Sequence, residues 1–489
     1  MNQQPFFDIF RTGKQEMEKV IAAGLSAGGD WCDLYFEYSV YNDLMLRDGE
    51  VNSGGYHEDF GVGIRVLDGE RTGYAYSEST ELKDMIAAAK AASAISADRV
   101  KSVTNISPDI SGKEDSRRGR AAGGRVPSDR SLDLYPVSET WDKTDHSRFL
   151  PVLERIDSAV RSKDSRIVKV IIRLSDYQSY IMMYNSLGEL TVDSRPMCSM
   201  TVSAIFSYKG KTENSTASWS HRCGADMVSD DLADRLAEEV VAGIDAKFDA
   251  RRPKGGEMPI VMAAGASGIL LHEAMGHAFE ADFNRKGQSI FSGRTGRKIC
   301  GSGISIVDDG TIPGNRGAGN YDDEGVPGQK TYMVRNGILE SYLHDRISAS
   351  FYGVSPTGNG RRESFRFNPI PRMRATYMEA GDAAPEDIIA SVRHGLYVTE
   401  FSNGQVRIGE GDFTFYVRSG FLIEDGRLTA PVKDINVIGN GPEALAKITA
   451  VGNDLKIDNG TWTCGKEQNV PVSLGIPTVL VSSLTAGGE

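Results

Sequence analysis

The sequence predicts an α+β protein in two parts: an N-terminal α+β region, residues 1–252, with an antiparallel sheet flanked by helices, and a mostly β C-terminal domain, residues 253–489, carrying one histidine-bearing helix. Three observations predict it. The first hundred residues run helix, strands, helix; the same order recurs between about 147 and 248; and after Arg252-Pro253 the chain changes to Gly-rich turns and β-type runs. At 489 residues the chain is too long for one ordinary core, so two domains are expected.

In order, Met17, Val20, Ile21 and Leu25 recur at helical spacing over residues 15–28, and Gly28-Gly29 ends the pattern. Cys32, Leu34, Phe36, Tyr38 and Val40 then alternate with Asp33, Tyr35, Glu37 and Ser39, the period of a half-buried strand, and strand-like runs continue to about Tyr76. Leu82, Met85, Ile86, Ala89 and Ile95 mark the second helix. Phe149, Val152, Leu153, Ile156 and Val160 mark a third, strands fill 166–219, and a further helix spans about 230–248, so the layout reads as one unit built twice. Residues 113–145, including RRGRAAGGRVPSDR, are rich in Gly, Arg and Ser and read as a loop, part of an irregular stretch over about 100–145. Glu114, Asp115 and Asp129 interrupt its basic run, which argues against a docking strip for an acidic partner. In the C-terminal domain, β-type runs such as 405–423 dominate, with one short helical pattern over 442–449.

Charge excludes one class of partner. Fifty-five Lys and Arg against sixty-seven Asp and Glu leave a net charge of −12, which repels a phosphate backbone, so no direct nucleic-acid partner is expected. The N-terminus lacks an apolar core of signal-peptide length and no run of about 18 apolar residues occurs, which predicts a cytoplasmic, non-membrane protein. The five cysteines are odd in number, scattered and never in a Cys-x-x-Cys pair, so reduced thiols are expected.

The stretch that carries chemistry is AGASGILLHEAMGHAFEADF, residues 264–283. Ile269, Leu270 and Leu271 anchor a helix that continues through His272, Glu273 and His277. Two imidazoles with a Glu after the first are similar to the zincin helix, where His at i and i+4 share one face and the Glu activates water. Here the histidines are five apart. On a regular helix five residues turn about 500°, leaving the rings roughly 140° apart and unable to share one ion at about 2.1 Å. A bulge or break is therefore predicted, and Gly276 is the cheapest place for it. The plain alternative is a hydrogen-bonded polar helix face; against it, histidine is scarce, seven in 489, and two of the seven fall here. Catalytic zinc keeps three protein ligands and an open position. Glu280, Asp282, Cys300 and Cys464 are all candidates for the third, with Lys466 placed to help hold a thiolate at Cys464.

Further blocks surround this motif: Asp322-Asp323-Glu324-Gly325, Gly358-Asn359-Gly360-Arg361-Arg362-Glu363-Ser364, Pro371-Arg372-Met373, Gly409-Glu410-Gly411-Asp412-Phe413, Ile438-Gly439-Asn440-Gly441-Pro442 and Thr463-Cys464-Gly465-Lys466. In this order they resemble the TldD/PmbA family of metallopeptidases, in its metal-site-containing, TldD-like form. Arg374-Ala375-Thr376-Tyr377 departs a little from the family wording, and the N-terminal half matches only in layout. The resemblance implies Zn2+ held by His272, His277 and Cys464, with Glu273 as catalytic base. It implies peptides or unfolded protein segments as substrates, and a homodimer or a heterodimer with a TldE/PmbA-like subunit. The family's older label, modulator of DNA gyrase, supplies the alternative of a non-catalytic regulatory protein with a structural metal. Arg361, Arg362, His344, Asp322 and Asp323 are read as turn and fold architecture rather than as catalytic groups.

Overall fold

Strand alternation joins both N-terminal segments into one antiparallel sheet. Its strands are β1 (Trp31–Arg47), β2 (Glu50–Asp68), β3 (Arg71–Ser77), β4 (Ile167–Asn185), β5 (Leu190–Tyr208) and β6 (Lys211–His221), in the order β3-β2-β1-β4-β5-β6. The computed structural model describes residues 2–96, 132–407 and 410–487. Residues 97–131, which include most of the predicted loop, lie outside them; residues 132–145 are irregular apart from a 3-10 turn at Trp141–Lys143.

Each half of the sheet is covered by its own pair of helices. α1 (Lys14–Gly24) and α2 (Leu82–Ser93) bring Met17, Val20, Met85 and Ala89 onto Leu34, Phe36, Val62 and Ile64. α3 (Leu150–Lys163) and α4 (Asp230–Val241) bring Leu153, Ile156, Leu232 and Leu236 onto Val170, Ile172, Met200 and Val202. The repeated helix-strands-helix layout is thus present, and β1 and β4 meet antiparallel at its centre.

β1 departs from the half-buried strand that the alternation predicts. Its polar side is buried too: Asp33, Glu37 and Ser39 are at most 7% exposed. That side faces the C-terminal half, where Tyr35, Ile181 and Met183 pack with Phe365. The burial is tolerated because the charges are paired. Arg65 forms ion pairs of 2.6 Å with both Asp33 and Glu324, and Glu37 accepts from the Phe365 backbone N–H at 2.8 Å. Period alone cannot distinguish water from a paired polar interface.

In the C-terminal half, five strands close into a ring. Gly256–Met262 lies between His394–Arg407 and Val479–Gly487; Ile435–Asn440 and Asp412–Glu424 follow, and the last pairs back to His394–Arg407. A second, mixed sheet of six strands includes Ala375–Met378 parallel to Ser473–Ile476. The largest core cluster draws on both sheets and on the histidine-bearing segment. Helices at Ala281–Arg285, Arg346–Tyr352 and Pro385–Ala390 accompany the one expected near 442, here Gly441–Ala446. At five to seven residues they hold too few repeats for a 3.6-residue period to show. Among the described residues, no helix is long and apolar enough to cross a membrane.

Candidate metal centre

The strand Gly256–Met262 delivers the chain to the site. After Gly265, at φ +95°, it enters a continuous helical run that begins at Ala266–Gly268. A Cβ on Gly268 would press on the backbone of Gly475, so the run lies directly against the strand Ser473–Ile476. Leu270, Leu271, Ala274, Met275, Ala278 and Phe279 are buried in the core, and Phe279 stacks on Phe291 with centroids 4.7 Å apart. That apolar anchoring fixes which way the polar residues between them point.

The predicted distortion is present as a π turn over His272–Gly276, followed by a 3-10 turn at His277–Phe279. A π turn bonds i to i+5, which puts residues five apart one above the other. The two rings consequently meet edge to face, with centroids 5.4 Å apart. Gly276 closes the π turn, where the distortion was expected, but not by using a conformation reserved for glycine. Its φ of −57° and ψ of −49° are ordinary helical values, and it is small because a Cβ there would overlap the Met373 Sδ.

Cys464 comes from the hairpin Thr463–Lys466 and Gln468–Pro471. Its Sγ lies 3.4 Å from His277 Nε2, and one ligand atom from each of His272, His277 and Cys464 lies within 4.8 Å of the others. Donors around a tetrahedral zinc at about 2.1–2.3 Å stand roughly 3.5 Å apart, so the thiol–imidazole spacing already suits one ion. Both ring nitrogens of His272 are buried with no hydrogen-bond partner among the described residues. A metal ion would satisfy one of them, and the donor set therefore fits the group. Glu273 is the solvent-facing member, its side chain 32% exposed and its Oε2 3.9 Å from His277 Nε2.

Of the four candidates for a third ligand, the geometry brings only Cys464 to the pair. Glu280 accepts instead from the far nitrogen of the ring, His277 Nδ1, at 2.9 Å. Lys466 does not reach the thiol: its ammonium contacts Asp282 at 2.8 Å and Glu280 at 3.0 Å. Arg372, which motif reading left without a role, is fully buried and donates to the Cys464 carbonyl at 2.6 Å and the Gln468 carbonyl at 2.8 Å, pinning the hairpin to the site. The sequence signal for Glu280 was its place three residues after His277, within reach of the same ring.

Electrostatics follow from these neighbours. Burial pushes the Cys464 thiol up, but His272 and then His277 outweigh it and bring it down to about 4. Burial lowers His277, but Glu280 and Cys464 outweigh it and hold the imidazolium up to about 10. Burial raises Glu280, while Lys466, His277 and Arg372 together hold it near 2. All three shifts run in the direction that favours a thiolate beside an imidazolium, with a buried carboxylate behind the ring. Asp322 accepts from the backbone N–H groups of Glu324, Val326 and Gly360, the architectural part expected of it. His344 is a buried neutral ring, its pKa lowered by desolvation to about 4.

A pair of imidazoles on a distorted helix and a thiol from a distant hairpin thus form a buried donor set that suits a metal ion. Three family models match successive parts of the chain: PmbA/TldA metallopeptidase domain 1 at residues 32–96, its central domain at 138–244 and its C-terminal domain at 255–488. The chain is 38% identical to a metalloprotease TldD homolog of Haemophilus influenzae, over 94% of this chain and 93% of that protein. It is 30% identical to a metalloprotease of Methanothermobacter thermautotrophicus, over 94% and 96%. A zinc metalloprotease TldD homolog of Saccharolobus solfataricus matches 48% of this chain and 53% of its own length at 34% identity. The chain belongs to the PmbA/TldD family of metallopeptidases. Its fold is also that of a Thermotoga maritima protein described as a modulator of a DNA gyrase, with TM-score 0.73 and 22% identity over 97% and 100% of the two chains. TldE from Thermococcus kodakarensis shares it at TM-score 0.73 and 19% identity, over 97% and 100%.

Proposed function

We propose that this chain is a zinc-dependent peptidase that hydrolyses peptide bonds in peptides or unfolded protein segments, with His272, His277 and Cys464 as metal ligands and Glu273 as the general base. The observation that carries the reading is the closeness of those three donors beside a partly exposed carboxylate. Bound there, zinc would lower the pKa of water toward about 7 and polarise the substrate carbonyl. Glu273 takes the proton of the attacking water and returns it to the leaving amine. Glu280 holds the His277 ring by its Nδ1–H, so that Nε2 faces the thiol. Arg372 keeps Cys464 in place through the backbone.

In this reading residues 253–489 are the peptidase domain and residues 1–252 the N-terminal α+β domain, whose β1 packs its polar side against it. The protein works in the cytoplasm as a dimer, with itself or with a TldE-like subunit; the TldE-type fold of the Thermococcus neighbour supports that pairing. Glu273→Gln is expected to abolish cleavage of an unfolded peptide while zinc, measured by atomic absorption, stays near one per chain. Cleavage at the wild-type rate removes Glu273 from the reaction. Gyrase binding by a wild-type chain that cleaves nothing, with or without a TldE-like partner, would favour the regulatory alternative.

A further inference from the structure

Away from the thiol and the imidazoles, a cavity of about 260 Å³ lies between the N-terminal sheet and the C-terminal half. Arg222, Arg361 and Arg374 line it, each at most 5% exposed. Among the described residues, none of the three forms an ion pair. Arg361 donates to the carbonyls of Met373 and Pro471, and Arg374 to those of Gly358, Gly317 and Tyr321. Arg222 has one long bond, 3.4 Å, to the Pro196 carbonyl, and its Nε is buried without a partner.

Buried guanidiniums ordinarily pair with an anion, and carbonyl dipoles compensate only part of the charge. The carboxylates of the cavity wall are already engaged or neutralised. Asp323 is held by Arg195 at 2.6 Å and by the Arg362 backbone N–H at 2.8 Å. Glu363 accepts from the Asn469 backbone at 2.6 Å. Burial lifts the Glu37 carboxyl to about 7. Burial, reinforced by neighbouring Arg374, pulls Arg361 down to about 9, as a missing counter-charge would. Tyr41 and Tyr177 also line a second, more open cavity of about 430 Å³.

We propose that this cavity is an oxyanion-binding site that takes a carboxylate or phosphate group on the guanidinium forks of Arg222, Arg361 and Arg374. Its volume is below the roughly 300 Å³ of a typical small-molecule pocket, which suits an end group rather than a whole ligand. One wall is Pro471, whose strand partner Thr463 immediately precedes Cys464. A carboxylate bound there would belong to a peptide lying along that hairpin. The peptide source rests on the peptidase reading, whereas the oxyanion site does not.

The test is calorimetric titration of the full chain in chelator, where no turnover occurs and no metal competes for the anion. The probes are N-acetyl-dialanine, its C-terminal amide, and sodium phosphate. Saturable binding of the acid, with the amide at least about tenfold weaker, supports the site with a peptide carboxylate as its source. Saturable phosphate binding without binding of the acid supports the site with phosphate as its source. In either case Arg222→Gln is expected to weaken binding about tenfold. Should Arg222→Gln fail to fold by circular dichroism, Arg222→Lys keeps the charge, loses the fork and is expected to weaken binding in the same direction. Absence of binding by both anions, equal binding of acid and amide without phosphate binding, or binding unchanged in the folded variants overturns the proposal. Loss of the peptidase reading through Glu273→Gln leaves these titrations unaffected, so the two failures are separable.

Discussion

Replacing Glu280 by glutamine exchanges one oxygen for an NH2 group in a fully buried wall of the site, with consequences that can be worked from the contacts. The carboxylate lies 2.9 Å from His277 Nδ1, 3.0 Å from the Lys466 ammonium and 3.9 Å from Arg372 Nε. At an effective dielectric near 20, each of the closer pairs represents roughly 5 kcal/mol of gross attraction, most of it offset by desolvation. What survives is the orienting term: glutamine accepts from Nδ1–H but no longer strengthens the imidazole as a donor. Loss of such a partner typically lowers metal affinity by about 10–100-fold, or about 1.4–2.7 kcal/mol. Zinc affinity is measured by competition with a chelating dye at pH 7.5, alongside thermal unfolding of the metal-free protein. Asp282→Asn is the control, since it weakens a Lys466 contact of 2.8 Å without touching the ring. It should leave zinc affinity within about twofold of wild type, because no orienting partner of the ligand is lost. Folded Glu280→Gln with wild-type zinc affinity, or an equal loss in Asp282→Asn, refutes the orienting role.

Gly276→Ala drives a methyl into buried Met373 beside Arg372 and is expected to cost about 1–3 kcal/mol in urea unfolding, with weaker zinc binding; unchanged stability would show that Met373 yields freely. Cys464→Ser replaces the thiolate by a poor ligand, and zinc retained on dialysis should fall well below one per chain; full retention would mean that the thiol is not a ligand. Glu37 supplies the pH test. Its folded pKa is raised to about 7 from 4.5, so ionising it costs stability progressively as pH rises from 4.5 to 7, and fully above that. Glu37→Gln should therefore add about 1–3 kcal/mol at pH 8 and nothing near pH 4, measured by urea unfolding. An equal gain at both pH values would exclude titration as the cause.

The helix-strands-helix units were legible because α1, α2, α3 and α4 each hold enough turns to display their apolar stripe. So was the need for a distortion between His272 and His277, since a spacing of five residues cannot be reconciled with 3.6 per turn. Local spacing is enough to settle such matters because helix and strand periods are properties of neighbouring residues. It could not choose among Glu280, Asp282, Cys300 and Cys464, and family resemblance pointed to Cys464. The thiol is 187 residues from its imidazole, and only the packing of the hairpin under Arg372 brings the two together. Tertiary structure likewise decided that Glu280 stands behind the ring, that Lys466 pairs with carboxylates and that the polar side of β1 is buried. Each of these depends on which surfaces meet and which charges find partners there, and a one-dimensional pattern holds no record of a contact between distant segments.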